Sequence, residues 1–66
     1  MKIVNQVNRL RTKENITQEE FARALGVTRQ TIIAIEKGNY TPSVLLALKI
    51  AEYFHLNVES IFQIEK

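Results

Sequence analysis

The sequence predicts an all-α domain, a bundle of five short helices whose two ends are tied by a short antiparallel β pair. Three observations predict it. Apolar residues recur at three- and four-residue spacing through the middle of the chain, whereas β-branched or alternating patterns are confined to "KIV" and "FQI" at its ends. Cap residues and glycines cut the periodic stretch into pieces of helix length. The 66 residues suffice for one small domain, with a core that by itself gives thin stability.

Each element has a local reason. Ile3, Val4 and Ile64 lie in segments too short for helices, so residues 2–4 are expected to pair antiparallel with about 63–65; the alternative is two frayed tails. A first helix is predicted over about 6–14, capped by Asn5, with Val7 and Leu10 on its inner side. Asn15 ends it by taking the left-handed conformation. The second helix is predicted over 18–25. Thr17 and Glu20 form a capping box before it, and Phe21, Ala24 and Leu25 give its apolar face. Gly26 stops it by supplying a positive φ without a Cβ in the way. Thr28 caps a third helix over 29–36 with Ile32 and Ile35 inward, closed by Lys37 and Gly38. Ser43 caps a fourth over 44–54. Its inner positions are read as Val44, Ala47, Leu48, Ala51 and Phe54, with Leu46, Ile50 and Tyr53 as a second apolar row. Asn57 caps a fifth over 58–62, and "QIEK" trails off extended.

Composition excludes several function classes. Cysteine and aspartate are absent, so disulfides, thiolate zinc sites and Ser-His-Asp or Cys-His arrangements cannot be assembled. The one histidine, His55, reads as a surface or helix-end residue, and no metal site, cofactor or glycine-rich phosphate loop is expected. The longest apolar run, "VLLAL", is too short to span a bilayer, and "MKIVNQ" has no signal-peptide core; the reading is a cytoplasmic protein. Residues 1–51 carry eight Lys or Arg and four Glu, whereas residues 52–66 carry three Glu and one Lys. The positive end suits a polyanion, although a solvated mixed surface explains so small a split almost as well.

The decisive stretch is "TQEEFARALGVTRQTIIAIEKG". Its two helices are separated only by Gly26, Val27 and Thr28, which makes a helix-turn-helix, a unit that offers its second helix to the DNA major groove. Ala22 is small where the helices approach, and Val27 plugs the corner. With Ile32 and Ile35 inward, the outer face of the third helix holds Arg29, Gln30, Ile33 and Lys37. Arg29 offers a fork to guanine O6 and N7, Gln30 a donor–acceptor pair to adenine N6 and N7, and Ile33 an apolar contact for a thymine methyl, the alternative for Ile33 being partial burial against the loop after Gly38. A G and an A close together in each half-site follow.

The fragments "ITQEEFA", "GVTRQTI", "IEKGNYTPS", "LALKIA" and "NVESIF" together resemble the Cro and phage-repressor family of helix-turn-helix regulators, from about Val7 to Phe62. The resemblance implies the compact lambda-repressor-like five-helix fold and a dimeric transcriptional regulator of bacteria or phages. By position, it implies that Arg29 and Gln30 read bases with Thr31, Ile33 and Ala34 beside them. It places Gln18 on a phosphate at the positive end of the second helix, and Thr28, Lys37, Asn39, Tyr40 and Thr41 along the backbone. It implies a structural ion pair between Arg11 and Glu36. The chain departs from the family where Asn15 and His55 replace frequent glycines, and where Leu45 replaces a usual polar residue.

The function expected is a sequence-specific regulator of double-stranded DNA, a repressor binding an inverted repeat as a homodimer through Leu45, Leu56, Ile61 and Phe62. No small-molecule effector domain is expected in so short a chain. The alternatives are an antitoxin or adaptor module that holds a protein partner, and a restriction-system controller protein.

Overall fold

The computed structural model describes all 66 residues. In chain order they form β1 (Lys2–Asn5), α1 (Val7–Lys13), α2 (Gln18–Leu25), α3 (Arg29–Glu36), α4 (Val44–Phe54), α5 (Val58–Ile61) and β2 (Phe62–Glu65). The two strands pair antiparallel with Lys2 opposite Glu65, Ile3 opposite Ile64, Val4 opposite Gln63 and Asn5 opposite Phe62. No helix is long and apolar enough to cross a membrane.

The core gathers Val7 from α1, Phe21, Ala22 and Leu25 from α2, Ile32 and Ile35 from α3, Leu46, Ile50, Ala51 and Phe54 from α4, and Ile61 from α5. Phe21 stacks edge-on against Tyr53 at 5.1 Å and lies 5.3 Å from Phe54, so three rings from two helices form its centre. Every buried side-chain nitrogen and oxygen has a hydrogen-bond partner.

Several elements differ from the sequence expectation. The first helix is shorter than 6–14, because Asn5 belongs to β1 and the N-cap falls on Gln6. Asn5 still caps in effect: its Oδ1 accepts from the Val7 N–H at 3.0 Å while its Nδ2 donates to the Ile35 carbonyl at 3.0 Å. The fifth helix stops at Ile61, since Phe62 turns extended to pair with Asn5. Ala24 is exposed; Ala22 takes the buried place beside Phe21. On α4 the inward row is Leu46, Ile50, Ala51 and Phe54. Val44 and Leu48, expected inside, are 77% and 53% exposed. The buried face draws on both apolar rows, Leu46 and Ile50 from one and Ala51 and Phe54 from the other, so α4 meets the bundle along the boundary between them and Val44 and Leu48 fall on its far side. Ile61, expected in a subunit interface, has no exposed surface and belongs to the core.

Four residues take the left-handed conformation: Asn15 (φ 58°), Gly26 (φ 75°), Gly38 (φ 79°) and His55 (φ 57°). Gly26 is the C-cap of α2, and a Cβ there would touch nothing within 4 Å. The cost of a side chain at 26 is therefore backbone strain alone. Gly26→Ala is expected to lose about 1–2 kcal/mol, and Gly26→Asn less. Chemical denaturation of both variants checks this; equal losses would mean that the glycine serves something other than its φ.

Candidate nucleic-acid interface

The corner between α2 and α3 is built from local hydrogen bonds. The Thr17 hydroxyl accepts from the Glu20 N–H at 3.0 Å, and the Glu20 carboxylate accepts from the Thr17 N–H at 2.9 Å. The bond from the Thr17 backbone, then that from its hydroxyl, holds the Glu20 carboxyl below its ordinary value. After Gly26, the Val27 N–H donates back to the Ala22 carbonyl at 3.0 Å. The Thr28 hydroxyl then accepts from the Thr31 N–H at 3.4 Å and opens α3.

Ile32 and Ile35 are fully buried and press α3 onto the core. That seating turns Arg29 and Gln30 outward into solvent, with Thr31, Ile33 and Ala34 half-buried along the same helix. The first turn of α2 carries Glu19 and Glu20, whereas the first turn of α3 has no acidic residue. The positive end of α3 thus has no carboxylate of its own and favours an incoming anion.

A cleft of about 440 Å³ is lined by Arg11, Thr17, Gln18, Glu19 and Arg29, so Gln18 and Arg29 face one space. Lys37, Asn39, Tyr40 and Thr41 are exposed in sequence order after α3. Two of the expected phosphate ligands are already engaged within the fold. The Thr28 hydroxyl accepts from the Thr31 N–H in the cap and lies 3.2 Å from the Thr31 hydroxyl. The Gln18 side-chain amide donates to Glu36 Oε1 at 3.1 Å, which leaves its second N–H and its carbonyl free.

Glu36 is the hub behind this surface. Arg11 Nε donates to its Oε2 at 2.7 Å and Arg11 Nη2 to its Oε1 at 3.2 Å. Asn8 adds a third donor at 3.0 Å. Arg11 Nη1 meanwhile donates to the Ile16 carbonyl at 2.7 Å. The two side chains are only 10% and 6% exposed. Burial pushes the Glu36 carboxyl up, but the bonds from Arg11, Asn8 and Gln18, with the Arg11 charge, outweigh it and hold the group below the ordinary range. The sequence signal for Asn8 is only its place one helical turn before Arg11 on α1.

Of the residues expected at a subunit interface, Leu45 and Leu56 are exposed and Phe62 is half-buried. Val44 and Leu48 join Leu45 on the open side of α4.

The helix-turn-helix family model matches residues 7–61. The chain is 55% identical over 58 residues to the uncharacterized HTH-type transcriptional regulator MJ0272 of Methanocaldococcus jannaschii, covering 88% of each. It is 48% identical over 62 residues to the uncharacterized HTH-type transcriptional regulator YgzD of Bacillus subtilis, covering 94% of each. Among solved structures, the SOS-response transcriptional repressor LexA from Eubacterium rectale superposes with a TM-score of 0.80 at 31% identity, over 83% of this chain and 58% of that one.

Removing Arg11 leaves a buried carboxylate without its cation. Arg11→Ala is expected to cost about 3–5 kcal/mol, and the pair replacement Arg11→Met with Glu36→Leu to recover most of it. Equilibrium unfolding of the two variants decides the point. The pH dependence has a definite sign. Because the folded-state value of Glu36 is lowered, its contribution is complete above the unfolded glutamate value, about 4.3, and is lost as pH falls toward the folded value. Glu36→Gln should therefore flatten the acid limb of a stability–pH curve; an unchanged limb would assign acid sensitivity to other carboxylates.

Proposed function

We propose that this chain, which belongs to the helix-turn-helix family of DNA-binding transcriptional regulators, is a sequence-specific repressor that binds an inverted repeat as a homodimer. The observation that carries the reading is the seating of α3. Ile32 and Ile35 are buried, the corner behind them is capped, and Arg29 and Gln30 stand free on the opposite side. α3 enters the major groove with its first turn toward the base edges. Arg29 reads a guanine and Gln30 an adenine, while Ile33 and Ala34 lie against a thymine methyl and Thr31 beside them. Gln18 and the backbone of the α3 entry hold one phosphate; Lys37, Asn39, Tyr40 and Thr41 follow the sugar-phosphate chain.

The dimer surface is the apolar row Val44, Leu45 and Leu48 of α4, extended by Leu56 and the rim of Phe62. Leu45 is 65% exposed. Together these side chains offer apolar area on the order of several hundred Å², as large as the biggest patch of a typical monomer. Such a row is self-complementary across a two-fold axis. A second copy sets two α3 helices about 34 Å apart, one turn of the duplex. Repression is by occupancy, a reading supported by the similarity to a solved transcriptional repressor.

The test is selection of bound sites from random duplexes at two salt concentrations. A palindromic consensus with steep salt dependence is expected; salt-sensitive binding with no consensus would leave a non-specific binder. Arg29→Ala and Gln30→Ala should each weaken the selected site by about five- to 150-fold while sparing non-specific binding. Tolerance of both changes would favour an adaptor that holds a protein partner. In sedimentation, Leu45→Glu should shift the mass from dimer to monomer at micromolar concentration; a wild-type mass that stays monomeric at every concentration would remove the dimer.

A further inference from the structure

β1 and the segment that follows α3 enclose an open groove of about 600 Å³, lined by residues 1–5 together with Glu36, Lys37, Gly38 and Thr41. The polar side chains in it sort cleanly. The Asn5 amide is used on both sides, to the Ile35 carbonyl and from the Val7 N–H. The one carboxylate, Glu36, already accepts from Arg11, Asn8 and Gln18. Gly38 donates its N–H to the Ile35 carbonyl. What remains unspent is Lys2, Lys37 and the Thr41 hydroxyl. Lys2 makes one loose ion pair with Glu65, at 3.4 Å and 72% exposed, of the kind worth little in water. The groove therefore presents donors and positive charge and no free acceptor charge, at the end of the helix proposed to read bases.

We infer that β1 is part of the DNA interface: Lys2, across the groove from Lys37 and Thr41, takes a backbone phosphate of the half-site that α3 occupies. This rests on the reading of α3 as the base-reading helix. The pairing of β1 with β2 gives Lys2 a fixed base from which to act. Antiparallel pairing sets Lys2 opposite Glu65, and Asn5 anchors the strand to the last turn of α3. On approach, the Glu65 carboxylate is exchanged for a phosphate, and a condensed counterion leaves the duplex.

The experiment is the salt dependence of binding to the selected duplex for the whole chain and for Lys2→Ala, Lys2→Arg and Arg29→Ala. One phosphate contact contributes a slope of about 0.9 in log K against log salt, or roughly eightfold in affinity at 0.1 M. Lys2→Ala should lose that slope and that affinity with an unchanged consensus, and Lys2→Arg should keep both. Thermal melting of Lys2→Ala should match the parent, because its ion pair is exposed. An unchanged slope in Lys2→Ala, with Arg29→Ala still losing specific binding, would overturn the role of Lys2 and leave the base-reading proposal standing. Failure of the parent to select any site would overturn both. Inorganic phosphate titrated against the free protein gives the other arm. Saturable shifts at Lys2, Lys37 and Thr41 without a change of slope on DNA would make the groove a small-anion site and overturn the inference.

Discussion

One buried carboxylate governs how the working helix is held. Glu36 sits at the end of α3 and accepts hydrogen bonds from Asn8 and Arg11 on α1 and from Gln18 at the start of α2. Three helices therefore converge on two oxygen atoms. Packing alone would press α3 onto the core through Ile32 and Ile35, but apolar contacts are tolerant of sliding and rotation. Hydrogen bonds to a desolvated charge are not, since any displacement uncovers a cost of several kcal/mol. A buried ion pair is weak evidence for net stability, because desolvation offsets much of its attraction. Its contribution here is a single permitted arrangement. If α3 presents Arg29 and Gln30 to base edges, as proposed, it gains more from that arrangement than from another aliphatic contact.

The same network explains the division of labour at the corner. Gln18 stands at the head of α2, where the helix dipole favours a phosphate, and it also touches Glu36. Its amide has two N–H groups, so one can stay on the carboxylate while the other faces the cleft shared with Arg29. Thr28 accepts from the backbone of α3 at its cap, which leaves its O–H as a donor. The surface is thus assembled from groups whose first duty is structural, and the free donors are the ones that have no internal partner.

Much of this was legible in the sequence because the signals are local. The capping box of Thr17 and Glu20, the caps at Thr28 and Ser43, and the left-handed positions Asn15 and Gly26 each need only their immediate neighbours. The strand pair was legible from β-branched ends alone. What failed was global. α4 is apolar on two sides, so periodicity offered two phases, and the buried face falls between them: Tyr53 from one row and Phe54 from the other both pack on Phe21. Ile61 looked like surplus apolar surface because α5 is a single turn, too short to show which side faces in. The place of Asn8 in the network is not legible because its partner, Glu36, lies far along the chain.

The open apolar side of α4 has a physical consequence. A chain of this length buries too little apolar surface for a robust core, yet it leaves Val44, Leu45 and Leu48 in water on one side of its longest helix. A sequence under pressure for solubility alone would place Lys or Glu there. Under the dimer proposed above, a second copy would supply the missing burial, and folding and association would be parts of one process. Stability and the pairing of the proposed recognition helices would then depend on concentration together. A dimer of the proposed kind would be least stable when dilute, so its folded population and its occupancy of a two-fold site would rise in step.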